Sequence, residues 1–133
     1  MKRIKKYVGF CVLVLTILVS GAKIYASQYV YFSGLLPSYQ GWAYTGAASK
    51  TSSTSSGEVT VTALGHEGVT FYAYADGTGH TGEWTTIYQS SVNDTKPLYY
   101  DAIYGVGQSM ICKYRNTNWM VFQKTCNGYV DFY

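Results

Sequence analysis

Acid–base chemistry is nearly absent from this chain. Charged side chains make up 13% of its 133 residues, and only two histidines, His66 and His80, occur. Each lies in a glycine-containing turn, His66 beside Glu67 and His80 near Asp76 and Glu83. A catalytic or metal site would need those turns to meet in space, and two solvated turn histidines are the simpler expectation. No Gly-x-Ser-x-Gly elbow, His-Glu-x-x-His pair or phosphate loop occurs. The stretch from Asp76 to Ile87 starts like a calcium loop, with Asp76, Thr78 and His80. Thr81 then stands where that loop needs glycine, and Ile87 where it needs glutamate. No metal, no cofactor and no enzymatic activity are expected.

Long apolar runs are also missing, with one exception at the N-terminus. Lys2, Arg3, Lys5 and Lys6 precede an apolar stretch from Tyr7 to Val19, and small residues from Ser20 to Ala26 close it. That layout is the one of a secretory signal peptide. As a helix the apolar stretch is about 20 Å long, short of the roughly 20 residues that cross a bilayer stably. Cleavage is therefore expected after Ala26, or alternatively after Ala22, leaving no stable transmembrane span. No lipid-anchor cysteine follows the run and no hydrophobic tail stands at the C-terminus, so a secreted, extracellular product is expected.

Cleavage reverses the sign of the charge. The whole chain carries +3, but after Ala26 five cations face all seven acids, a net charge of −2. The basic balance belongs to the leader, and nucleic acid is not an expected partner. Two cysteines remain, Cys112 and Cys126, in a compartment where disulfides persist. A bridge between them would close a loop of about 15 residues and stabilise the fold by around 3 kcal/mol. If Asn116-Thr117-Asn118 is a tight hairpin turn, however, Cys112 faces Phe122 or Gln123, and the bridge needs the chain to double back at Thr125-Cys126-Asn127-Gly128. Bridge and free thiols both stay open.

Proline is as rare as histidine, with two residues, and past Ala26 no stretch of ten or more residues has apolar positions at helical spacing. What is present fits strands. Candidates are Gln28 to Phe32, Trp42 to Thr45, Glu58 to Leu64, Val69 to Ala75, Glu83 to Gln89, Leu98 to Tyr104, Ser109 to Arg115, Trp119 to Thr125 and a last edge strand Tyr129 to Phe132. Glu58–Leu64 and Val69–Ala75, joined by Gly65-His66-Glu67-Gly68, read as the clearest hairpin. The expected class is all-β: a small antiparallel β-sandwich, or an open barrel, of seven to eight short strands after a cleaved N-terminal signal helix. Ala47 to Gly57, nearly all Ser and Thr, lacks the apolar groups that offset ordering entropy. The chain thus divides into a signal peptide (1–26), a short aromatic arm (27–46), a Ser/Thr-rich loop or linker (47–57) and a sandwich core (58–133).

Aromatics are abundant. Thirteen tyrosines, three tryptophans and four phenylalanines follow Ala26, more than a core of this size encloses. Either the excess tyrosines serve as strand formers with hydroxyls in solvent, or they form a binding surface for sugars, membrane interface or protein. Trp42, Trp84, Trp119, Tyr72 and Tyr74 are the candidate binding residues.

In layout the chain resembles the small β-sandwich bacteriocins of the lactococcin type: a signal peptide, a short exported domain dense in Gly, Ser, Thr and aromatics, and few acid–base residues. Its C-terminal part, Gly105 to Tyr133, also resembles the tail of small secreted proteins of Gram-positive bacteria. That stretch carries Tyr114-Arg115-Asn116-Thr117-Asn118-Trp119 leading to Gly128-Tyr129-Val130-Asp131. The first resemblance implies a non-enzymatic protein that acts by binding a component of a target cell's envelope. A binding module for polysaccharide or protein on the producer's own surface is the alternative.

Overall fold

A computed structural model describes residues 28–65, 67–79 and 82–133. The stretch expected to be a leader, with its expected cleavage points, as well as His66 and His80, lies outside the described residues. The described residues form nine strands: β1 (Tyr29–Leu36), β2 (Ala43–Tyr44), β3 (Ala48–Ser49), β4 (Thr54–Leu64), β5 (Gly68–Ala75), β6 (Thr85–Tyr88), β7 (Thr95–Tyr104), β8 (Ser109–Asn116) and β9 (Lys124–Asp131). A 3-10 turn, Gln89–Ser91, lies between β6 and β7.

The strands build two antiparallel sheets. The first has the order β1-β9-β4-β7, the second β2-β8-β5-β6, with β3 also paired to β8. Apart from the β2–β3 step and the β5–β6 hairpin, every connection passes from one sheet to the other. This is the strand order of a jelly roll, whose two interlocked Greek keys place consecutive strands in opposite layers. The inner faces meet in one core. Val59, Val61, Leu98 and Val130 come from the first sheet, and Val69, Phe71, Ile87 and Met110 from the second. Phe32 bridges the layers, with its ring 5.7 Å from Phe71 and 4.8 Å from Tyr114.

Two hairpins read from the sequence are arches between sheets. β4 pairs with β7 and β9, whereas β5 pairs with β6 and β8. Alternation fixes which side chains point inward, and two inward faces satisfy it equally well side by side or opposed across a core. Likewise β8 and β9 lie in different sheets, and 117–123 is a loop where the sequence suggested a turn and a strand. The last strand begins at Lys124 and is central, held between β1 and β4. Gly128 is no turn residue: a Cβ there would collide with the Thr60 carbonyl oxygen and sit 2.8 Å from Phe32 Cζ. Its lack of a side chain lets β9 lie close to β4.

The aromatic arm and the Ser/Thr linker are strands of the sandwich. β1 pairs with β9 over eight residues, and Phe32 and Leu36 enter the core. Residues 54–57 begin β4, and Lys50 anchors what precedes them. Lys50 is 2% exposed and closes one end of the sandwich. Its ammonium donates to Thr54 Oγ1 (2.7 Å) and to the main-chain oxygens of Phe132 (3.2 Å) and Tyr133 (2.6 Å), and stands 4.5 Å from the Tyr100 ring. Burial lowers its pKa to about 8, while the charge of Asp131 pulls the other way. One buried cation thus supplies the order that the apolar-poor segment lacks.

Cys112 and Cys126 are free thiols. Both point into the core, one from each sheet, and both are buried. Burial pushes their pKa values up, that of Cys126 to about 12, which leaves them poor nucleophiles.

An aromatic and cationic face

The second sheet has an outer face as well as a core face. On β5, Val69, Phe71 and Ala73 point inward, so Thr70, Tyr72 and Tyr74 point outward. On β8, Met110, Cys112 and Tyr114 are core residues, which sends Ile111, Lys113 and Arg115 out. Register then builds rows. Tyr44, Lys113 and Tyr72 are direct neighbours across β2, β8 and β5. Because Phe71 pairs with Thr85, Trp84 lies next to Tyr72 just before β6. Arg115 pairs with Thr70, which pairs with Thr86, while Trp42 precedes β2 on the same side.

The rings on this face touch. Tyr72 has Trp42 on one side, with centroids 5.2 Å apart in a T-shaped arrangement, and Trp84 on the other at 5.3 Å. Enclosed between two indoles, Tyr72 is only 7% exposed, whereas Trp84 is 66% exposed. Two cations cover the same rings. Lys113 Nζ stands 4.8 Å from the Trp42 centroid, 5.6 Å from Tyr72 and 5.7 Å from Tyr74, and the Arg115 guanidinium is 4.5 Å from Trp42. These distances are those of cation–π contacts. Burial raises the Tyr72 pKa, and the nearby Arg115 charge pulls the other way. Burial raises that of Tyr74 too, followed by neighbouring Tyr44 and Asp76.

Among the described residues neither cation has a carboxylate partner. The charge distribution explains why. None of the seven acids lies on β2, β3, β5, β6 or β8. Glu58 and Asp131, by contrast, pair with each other in the first sheet. That sheet has an aromatic cluster of its own, Tyr29 and Tyr31 against Tyr129 at 5.1 and 5.8 Å, with no cation over it among the described residues.

Of the five aromatics singled out in the sequence, the structure brings Trp42, Tyr72, Tyr74 and Trp84 to one face. Trp119 stands apart, on the loop after β8, where its ring is 5.4 Å from Tyr39. Tyr39 and Gln40 both adopt left-handed backbone (φ 56° and 58°), held by Tyr39 N donating to the Met120 oxygen and Gln40 Nε2 to the Thr117 oxygen. Lys113 and Arg115 were missed in the sequence. The signal was there: they alternate with Cys112 and Tyr114, so a strand with those two buried must present both cations outward.

Among the described residues, no three His, Cys, Asp or Glu side chains lie together in a way that would hold a metal ion. No helix among them is long and apolar enough to cross a membrane. No protein-family model matches the chain, and comparison with curated proteins and with solved structures finds no similar one.

Proposed function

We propose that this chain is a secreted, non-enzymatic β protein that binds a carbohydrate component of a cell envelope through the outer face of its second sheet. The observation that carries this reading is the contiguous row Trp42–Tyr72–Trp84 on one face of the second sheet. Planar rings with apolar bodies and polar tips suit the faces of sugar rings, and rigid strands hold them at low entropic cost. The resemblance to lactococcin-type bacteriocins points to the envelope of a sensitive neighbour, and the export signal in residues 2–26 points outside the producing cell.

The test is co-sedimentation of the purified mature protein with isolated cell walls, alongside growth inhibition across a panel of related strains. Wild type is retained on walls, the Trp42→Ala/Trp84→Ala variant loses at least about tenfold in affinity, a difference of roughly 1.4 kcal/mol, and Trp119→Ala does not. Growth inhibition that follows the same variants supports the bacteriocin-like action. Retention without inhibition favours a module on the producer's own surface. Neither retention nor inhibition counts against the whole reading.

A further inference from the structure

Resting on that reading of the face, we propose that its ligand is an anionic polysaccharide: Lys113 and Arg115 hold the acidic groups while the sugar rings lie on the indoles. Three observations lead there. First, the two cations lack carboxylate partners among the described residues, on a sheet whose strands carry no acid at all. In a chain whose residues after Ala26 carry a net charge of −2, the two cations stand at the middle of the face while the acids Asp76 and Glu83 stand just beyond the end of β5 and just before β6, which gives selectivity to the place rather than to the molecule.

Second, the cations are fixed. Lys113 lies over Trp42, and Arg115 lies over the same ring. Side chains already ordered lose less entropy when an anion arrives, and a guanidinium so placed keeps donors for a carboxylate, sulfate or phosphate. As alternate residues of one strand they are roughly 7 Å apart along the chain, so they meet successive charges of a polymer.

Third, the outer face has little with which to recognise a neutral sugar. Such recognition uses carboxylates and carboxamides placed among the rings. The outward residues of β5, β6 and β8 include none; Thr70 and Thr86 offer hydroxyls that already bond each other at 3.2 Å. Charge, not a hydroxyl pattern, is what this surface reads.

The experiment is titration calorimetry of the mature protein with dextran sulfate, polygalacturonate, neutral dextran, inorganic polyphosphate and oligothymidylate, at low and at physiological salt. The expected result is salt-sensitive binding of both acidic polysaccharides, at least about tenfold tighter than neutral dextran. Lys113→Gln/Arg115→Gln removes that preference, and Trp84→Ala weakens both acidic ligands with the melting temperature unchanged. Equal binding of dextran and dextran sulfate, untouched by the double variant, overturns this inference while leaving the glycan reading intact. Polyphosphate binding as tight as dextran sulfate, indifferent to Trp84→Ala, overturns it in favour of a bare anion site. Tightest binding of oligothymidylate overturns it in favour of single-stranded nucleic acid, which also stacks on aromatics. Binding of no polysaccharide, acidic or neutral, removes the glycan reading itself.

Discussion

Removing Lys50 and discharging Lys50 are different perturbations, and the fold answers them differently. Substitution by methionine keeps the aliphatic volume but leaves the oxygens of Phe132 and Tyr133 without their donor, a cost of about 1–2 kcal/mol. Discharge acts through linkage. With a folded pKa of about 8 against an ordinary 10.5, the unfolded chain keeps a proton that the folded one sheds between those values. The destabilisation is complete below about pH 8 and relieved as pH rises to about 10.5. Cys126, raised to about 12 from 9.0, works in the opposite sense: its contribution is complete below pH 9 and declines above it, and Tyr114, raised from 10.0 to about 12, follows above pH 10. Wild-type urea midpoints are therefore expected to rise between about pH 8 and 9, level off as the Cys126 contribution begins to decline, and fall above about pH 10. Lys50→Met starts lower and lacks the rising limb; parallel profiles for the two proteins would show that Lys50 does not titrate in this range. None of this was readable from Ala47–Gly57, where one lysine among Ser and Thr looks like a solvated charge. Burial of a lysine depends on partners 82 and 83 residues away.

At the level of strands, the sequence carried direction but not pairing. Val59-x-Val61, Val69-x-Phe71-x-Ala73 and Met110-x-Cys112-x-Tyr114 each announce an inward face, and all three are buried. Which strand lies beside which is decided by long-range packing that alternation does not encode, so short turns that suggested hairpins turned out to cross between layers. Glycine at a close approach is one place where pairing does leave a mark. Gly128→Ala is expected to destabilise by about 2 kcal/mol or more, because the Thr60 carbonyl oxygen belongs to the neighbouring strand and cannot swing away. Gly105→Ala, where a Cβ meets nothing within 4 Å and φ is not positive, is the control for removing a glycine without crowding. Thermal melting separates them: similar losses at both positions would mean that crowding between β4 and β9 is not the cause.

For the molecule as a whole, sheet topology gives a core that does not depend on a cross-link. Cys112 and Cys126 face the same interior from opposite sheets with their thiols buried and their pKa values raised. The melting temperature of the mature protein is expected to be unchanged by reductant, and both thiols to react with iodoacetamide only in denaturant. A lower melting temperature in reductant would contradict the free-thiol fold. The same topology leaves two unlike outer faces, tyrosines with Glu58 on the first sheet and, on the second, Trp42 beneath Lys113 and Arg115 with Tyr72 and Trp84 beside it. The aromatic excess that suggested a surface was legible in composition; its assembly on one side, without Trp119, was not, because it depends on β2, β5, β6 and β8 lying in one sheet. The most direct measurement is an amide NMR titration of the mature protein with a soluble cell-wall digest, following its three indole N–H signals. Those of Trp42 and Trp84 are expected to shift while that of Trp119 stays. Movement of Trp119 alone, or of none of the three, would contradict binding at this face.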